Sequence, residues 1–253
     1  ISSGNSTTQA GNILISTKSS RIGGNIGIAS GEGLVSGVVS FTSGVASAAS
    51  GSVIMSSGSA KRSGDAVLMT GLSSDVAGNI TVLGGDGINE GSTINMLAGN
   101  SKNVGGSIDL RSGDGDAAGD VSISSGISTN GVGGGIRLHT HDGVRSSSSN
   151  ITLATGSAMS GESGSLVLST GGSSVAAGNV SMIGGRGVFR GTGGGILLMG
   201  GAADTTGGKV SIVSGGSTRG DSGSIELQTE QSITSSSGDI NLSTGKATRG
   251  KSG

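Results

Sequence analysis

Gly119-Asp120-Val121-Ser122-Ile123-Ser124-Ser125-Gly126 decides how the rest of this chain reads. Val121 and Ile123 stand two apart, so in an extended chain both side chains lie on one face, with Asp120, Ser122 and Ser124 on the other. Small residues and a glycine close the stretch. Working outward from it, the same form recurs in both directions: a hydrophobic pair at i and i+2, a small residue two places on, and usually a glycine next.

The pairs toward the start of the chain are Ile13/Ile15, Ile26/Ile28, Val39/Phe41, Val53/Met55, Ala66/Leu68, Ile80/Val82, Ile94/Met96 and Ile108/Leu110. Beyond Val121/Ile123 come Ile136/Leu138, Ile151/Leu153, Leu166/Leu168, Val180/Met182, Ile196/Leu198, Val210/Ile212, Ile225/Leu227 and Ile240/Leu242. These make seventeen complete units, spaced 13 or 14 residues apart up to Ile123 and 13 to 16 over the whole chain. The next residue of the same parity is always Ser, Thr, Gly or Ala, as at Ser57, Thr70, Ser112, Ser125 and Thr155, which reads as a bend where only a small side chain fits. Where that residue is Gly84, Gly184 or Gly200, its predecessor is bulky (Leu83, Ile183, Met199), a coupling expected of packed structure. Connectors between the pairs are polar but carry one apolar residue, among them Ala46, Ala60, Ile88, Val144, Met159, Val188, Ala203 and Ile233, which reads as a second, weaker inward position.

A fixed short period is the signature of stacked repeats. The pattern predicts an all-β chain, a β-solenoid resembling a parallel β-helix, with about 17–18 tandem repeats of 13–16 residues. One repeat per coil and two repeats per coil both fit. With coils ~4.8 Å apart, the first gives a rod on the order of 80–85 Å long and the second about half that. The hydrophobic pairs are the expected structural core. Burying two side chains per repeat does not offset the ordering of the whole repeat, so ladders between coils must supply the rest.

Composition bears on the alternatives. Glycine accounts for 55 of 253 residues, with two Phe and no Trp, Tyr, Pro or Cys, so no ordinary globular core of large side chains can form. Disorder is the rival for so Gly- and Ser-rich a chain. The regular hydrophobic spacing and the absence of proline argue against it. A formal net charge of −1 gives no pull toward nucleic acid. No apolar run approaches the ~18 residues of a membrane span, so no membrane insertion is expected. Zero cysteines exclude a disulfide framework without fixing a compartment.

Candidate chemistry is sparse. The stretch 245–252 fits G-x-x-x-x-G-K-[ST], the phosphate-cradling pattern, but the corresponding corner 215–222 has Asp221 where the lysine would be, and no helix follows. His139 and His141 lie two apart on the outward parity; two imidazoles at that spacing can share a metal, yet no third ligand is evident, and an exposed pair is the reading. Asp114, Asp116 and Asp120 cluster near a corner, but calcium-binding β-rolls use a nine-residue repeat and this period differs. Asp109 and Glu226 have no clustered carboxylate partner, and neither histidine has a nucleophile setting. The expectation is therefore no enzyme: no catalytic residue, no cofactor and no metal site. Sequons begin at Asn5, Asn79, Asn150, Asn179 and Asn241, and surface glycans would suit an extracellular rod.

The stretches 119–126, 238–245 and 164–171 share the form G-[DNS]-[IV]-x-[IL]-[ST]-[ST]-G closely, and with it the chain resembles the Ser/Gly-rich tandem repeats of large secreted proteins of stramenopile algae such as diatoms. The resemblance implies an extracellular or cell-surface location and a structural role, and brings no catalytic residues. The units near Val39 and Ala66 depart from the form.

Residues 1–253 read as a single continuous repeat domain, uncapped at both ends. The chain opens inside a unit at Ile1 and closes with Arg249-Gly250-Lys251-Ser252-Gly253, matching Arg219-Gly220-Asp221-Ser222-Gly223. The expectation is a segment of a longer chain, or a filament subunit forming a homopolymer through its coil ends. The function expected is that of a structural protein building an extracellular filament or surface appendage. The alternative is a surface module recognising ice or glycan on a flat face. Ice would call for a regular threonine array, whereas the outward positions vary: Ser40, Ile54, Val67, Thr81, Asn95, Asp109, Arg137 and Glu226.

Overall fold

The computed structural model of the chain describes residues 2–3, 9–248 and 250–251. Among these residues there is no helix and no β-strand. The expected β-solenoid is therefore overturned, and with it the all-β class and both coil geometries. The chain is extended and irregular. It divides into two compact units, Ile1–Ser122 and Ile123–Gly253.

The physical reason lies in what alternation does and does not specify. Period-2 patterning fixes which side chains share a face of an extended segment. A strand needs in addition a neighbour whose N–H and C=O groups meet its own in register. Here the backbone bonds that recur are spent elsewhere, on closing the connectors.

In the first unit the Ser92 amide donates to the Gly85 carbonyl at 3.1 Å, Gly106 to Gly99 at 2.9 Å, and Gly119 to Gly113 at 3.0 Å. In the second unit Gly134 donates to Gly126 at 3.1 Å, Gly194 to Gly185 at 2.9 Å, Gly208 to Gly201 at 2.8 Å and Gly223 to Gly215 at 2.9 Å. Each bond ties the glycine three places after a hydrophobic pair to the residue two places before the next pair. The repeat is thus an extended arm and a closed loop joined at a neck.

Arm length is constant. The segments 92–99 and 106–113 in the first unit, and 194–201 and 208–215 in the second, each run eight residues from neck to neck. The loops vary, from five residues inside the Gly113–Gly119 closure to eight inside Gly185–Gly194. The spread of spacing in the sequence is therefore a spread of loop lengths, and the parity of the arm is never disturbed.

The residues expected as core are not a core. No hydrophobic residue is buried among the described residues. In the first unit the correction covers Ile13 and Ile15, Ile26 and Ile28, Val53 and Met55, Ile80 and Val82, Ile94 and Met96, Ile108 and Leu110, and Val121, all exposed. In the second it covers Ile123, Ile136 and Leu138, Ile151 and Leu153, Leu166 and Leu168, and Val180 and Met182, exposed in the same way. Ile196 and Leu198, Val210 and Ile212, Ile225 and Leu227, and Ile240 and Leu242 complete the set, again exposed. The cause is the missing ladder. A solenoid buries its inward side chains by laying the next coil over them, and an arm whose backbone pairs with no neighbouring arm receives no such cover.

Inside the loops, serine hydroxyls accept from amides two or three residues on. Asp75 N–H donates to Ser73 Oγ at 3.2 Å, Asn103 to Ser101 at 3.2 Å, Val175 to Ser173 at 3.1 Å and Gly131 to Ser128 at 2.8 Å. Ser217 Oγ accepts from both Arg219 and Gly220. A local side-chain acceptor of this kind offers the backbone a turn in place of a ladder. The abundant serine thus works against the sheet that the hydrophobic pairs alone would favour.

Candidate functional site

The repeated feature that chemistry can act on is the arm together with its neck. At each neck, two positions of the apolar parity meet. A Cβ placed on Gly106 would lie 3.3 Å from Ala98 Cβ and 3.2 Å from the Gly99 nitrogen. Gly24 stands in the same relation to Thr17 Cβ (3.2 Å), Gly37 to Ser30 (3.5 Å), Gly119 to Ser112 (3.5 Å) and Gly134 to Ser125 (3.2 Å). Thr17 adds a hydroxyl bond to the Gly24 carbonyl at 3.2 Å. The small residue after each pair is small because it faces a backbone across the neck.

Its partner two places before each pair is a residue that the hydrophobic pattern does not single out. That position is glycine in fifteen of the seventeen units and serine in the other two, Ser92 and Ser149. The signal was present as strict recurrence, but only the pairing across the neck gives it a cause.

The exposed pairs are not equally exposed. The first member of each large pair is uniformly half-covered, from 43% exposed at Val39 to 59% at Leu166. Second members are more open, from 58% at Met182 to 85% at Met55 and Leu242. Leu14, of the opposite parity, stands at 87%. The first members sit two places from a neck glycine, on the face where loop and arm converge. The structure thus leaves a row of half-covered apolar side chains along each unit, with nothing in that unit over them.

Connector hydrophobes do not form the second inward position expected of them. Ile88, Val144, Met159 and Ile233 are exposed on their loops, because the closure ends at the neck and leaves the loop tip in water. Val188 is the exception, half-covered beside a turn. Leu83, Ile183 and Met199 are likewise open, so their coupling to a following glycine is no packing contact.

One open groove, of about 560 Å³, lies between consecutive arms and is lined by Ile54, Met55, Ser56, Ser57, Asp65, Ala66, Val67 and Leu68. It opens at the unit where Ala66 stands in place of a large first member, so the missing side chain makes the space.

The remaining candidates are placed as follows. His139 and His141 bring their rings together, with centroids 5.1 Å apart and planes at 76°. Among the described residues no group of three or more His, Cys, Asp or Glu could hold a metal ion, so Asp114, Asp116 and Asp120 do not converge. The phosphate-cradle match includes Arg249 and Ser252, which lie outside the described residues, as do Asn5 and the opening Ile1 and Gly4. Among the described residues no helix is long and apolar enough to cross a membrane. No family model, no curated protein and no solved structure matches this chain.

Proposed function

We propose that this chain is a structural protein that self-associates into filaments or a surface coat outside the cell, through the apolar faces of its arms. The observation that carries the reading is the row of half-covered first members, repeated unit after unit with no core behind it. Apolar area left in water at a fixed period is a driving force for association, at roughly 25 cal/mol per Å² removed from water. A second copy presents the same period, so one matched contact brings the next into register and many weak contacts act together. The eight-residue arm supports this, because loop variation never shifts the face. The extracellular placement is supported by the Ser/Gly-rich repeat resemblance alone. Coil-end stacking is not part of the proposal, since the chain forms no coils.

Sedimentation velocity of the purified chain over a concentration series, followed by negative-stain electron microscopy, tests the reading. Concentration-dependent growth into elongated assemblies is expected. Monomers at every concentration would send the reading back to recognition of a foreign surface.

A further inference from the structure

The two histidines of the chain stand together at 139 and 141. They occupy the outward parity of one arm, opposite the Ile136/Leu138 pair, and both are exposed. Their rings lie edge to face with centroids 5.1 Å apart. With zinc–nitrogen bonds of about 2.0–2.1 Å, a ligating imidazole has its centroid about 3.2 Å from the ion, so two imidazoles at a tetrahedral angle sit about 5.2 Å apart. A right-angled octahedral pair would sit closer, at about 4.5 Å by the same construction. The observed separation matches the tetrahedral case. Imidazole donors also suit the zinc-like divalent ions over calcium or magnesium.

We propose that His139 and His141 chelate a zinc-class divalent ion, and that the same pair from a second copy completes its coordination. Two features of the chain lead to the second copy. Among the described residues no third His, Cys, Asp or Glu joins the pair, so one chain fills only half of a four-ligand site. The pair also faces away from the hydrophobic side of its arm, so association through that side leaves it accessible. The ion then links copies across their outward faces, a contact independent of the apolar one. The chelation stands without the self-association proposed above; the bridge extends that reading to a second, metal-dependent contact.

The probe is Co²⁺, whose visible absorption is strong when tetrahedral and weak when octahedral, with Zn²⁺ as competitor. Titration of the full chain is expected to give an intense visible band that saturates at one ion for every two chains and is removed by Zn²⁺. His139→Ala/His141→Ala is expected to lose the band, while Arg137→Gln, of the same parity, keeps it. Both histidines are exposed, so neither change removes a packed side chain. A weak octahedral spectrum, saturation at one ion per chain, or an unaltered band in the double variant would each overturn the proposal. Sedimentation of the same chain in EDTA reads the apolar association separately, so the two readings can fail independently.

Discussion

Gly84 and Ser92 face each other across a neck in an exchanged arrangement: the glycine stands where most units carry Ser, Thr or Ala, and the serine where they carry glycine. A Cβ on Gly84 would come within 2.6 Å of Ser92 Oγ. In the commoner order the side chain sits on the entering position and the glycine on the leaving one, as Ser112 and Gly119 show. The neck has room for one small side chain, and either side of it can supply that side chain.

Gly84→Ser is therefore expected to open this neck, and Gly84→Ser/Ser92→Gly to close it again in the commoner order. The bond at stake runs from the Ser92 amide to the Gly85 carbonyl. A net backbone hydrogen bond is worth about 0.5–1.5 kcal/mol, so amide exchange at residue 92 should quicken by roughly 2–10-fold in the single variant. Recovery in the double variant is the coupling signature of contacting residues. Hydrogen exchange by NMR measures it, and unchanged protection in Gly84→Ser would falsify the shared-volume account.

Two glycines of one arm should behave oppositely. Gly106→Ala puts a methyl within 3.3 Å of Ala98 Cβ and against the Gly99 nitrogen, whereas Gly113→Ala meets nothing within 4 Å. The first is expected to weaken the Gly106 to Gly99 closure. The second needs no unusual φ and should leave its loop intact, gaining about 0.4–1 kcal/mol through the less free open chain. Comparing amide protection at residues 106 and 119 in the two variants separates them. Equal effects would mean that space at the neck is not what selects glycine.

The repeat and the parity of its side chains were legible in the sequence because both follow from spacing alone. Val121 and Ile123 share a face in any extended backbone. Whether such a segment pairs into a sheet depends on where its backbone groups find partners, and hydrophobic spacing carries no information on that. The deciding residues were the neck glycines and the loop serines, such as Gly106 and Ser101, whose bonds close loops locally. Burial failed for the same reason: Ile28 or Leu227 can be assigned a face by parity, but only a paired neighbour can cover that face. The histidine pair was visible as a spacing, but its ring separation was not, since outward parity leaves side-chain rotation free.

The turn 188–191 carries the backbone strain of the second unit. Phe189 and Arg190 have φ of 51° and 76°, and the Gly191 amide donates to the Val188 carbonyl at 2.9 Å. Positive φ at both central positions is the type I′ arrangement, which Asn-Gly satisfies far better than Phe-Arg. Phe189→Asn/Arg190→Gly is expected to stabilise the turn by about 1–3 kcal/mol. The scalar couplings at residues 189 and 190, together with slower exchange of the Gly191 amide, report it. Faster exchange at Gly191 would show instead that the Phe and Arg side chains hold the turn.

Association through the arms makes a prediction that ordinary hydrophobic stickiness does not. Ile108→Ser/Leu110→Ser removes one pair from the half-covered face, while Val104→Ser removes an apolar side chain of the neighbouring loop, where Val104 is 83% exposed. If copies meet face to face, the pair substitution should weaken association by roughly 1–3 kcal/mol per contact, since half of each side chain's transfer energy is still available. The loop substitution should do little. Inserting one residue between Asp109 and Leu110 is a sharper probe, because it keeps every hydrophobe yet turns Leu110 to the opposite face. An inserted residue inside the Gly126–Gly134 loop changes length by the same amount without touching parity. The arm insertion should raise the concentration at which assemblies appear in sedimentation, and the loop insertion should not. Equal shifts from the two insertions would show that association follows total hydrophobicity rather than an ordered face.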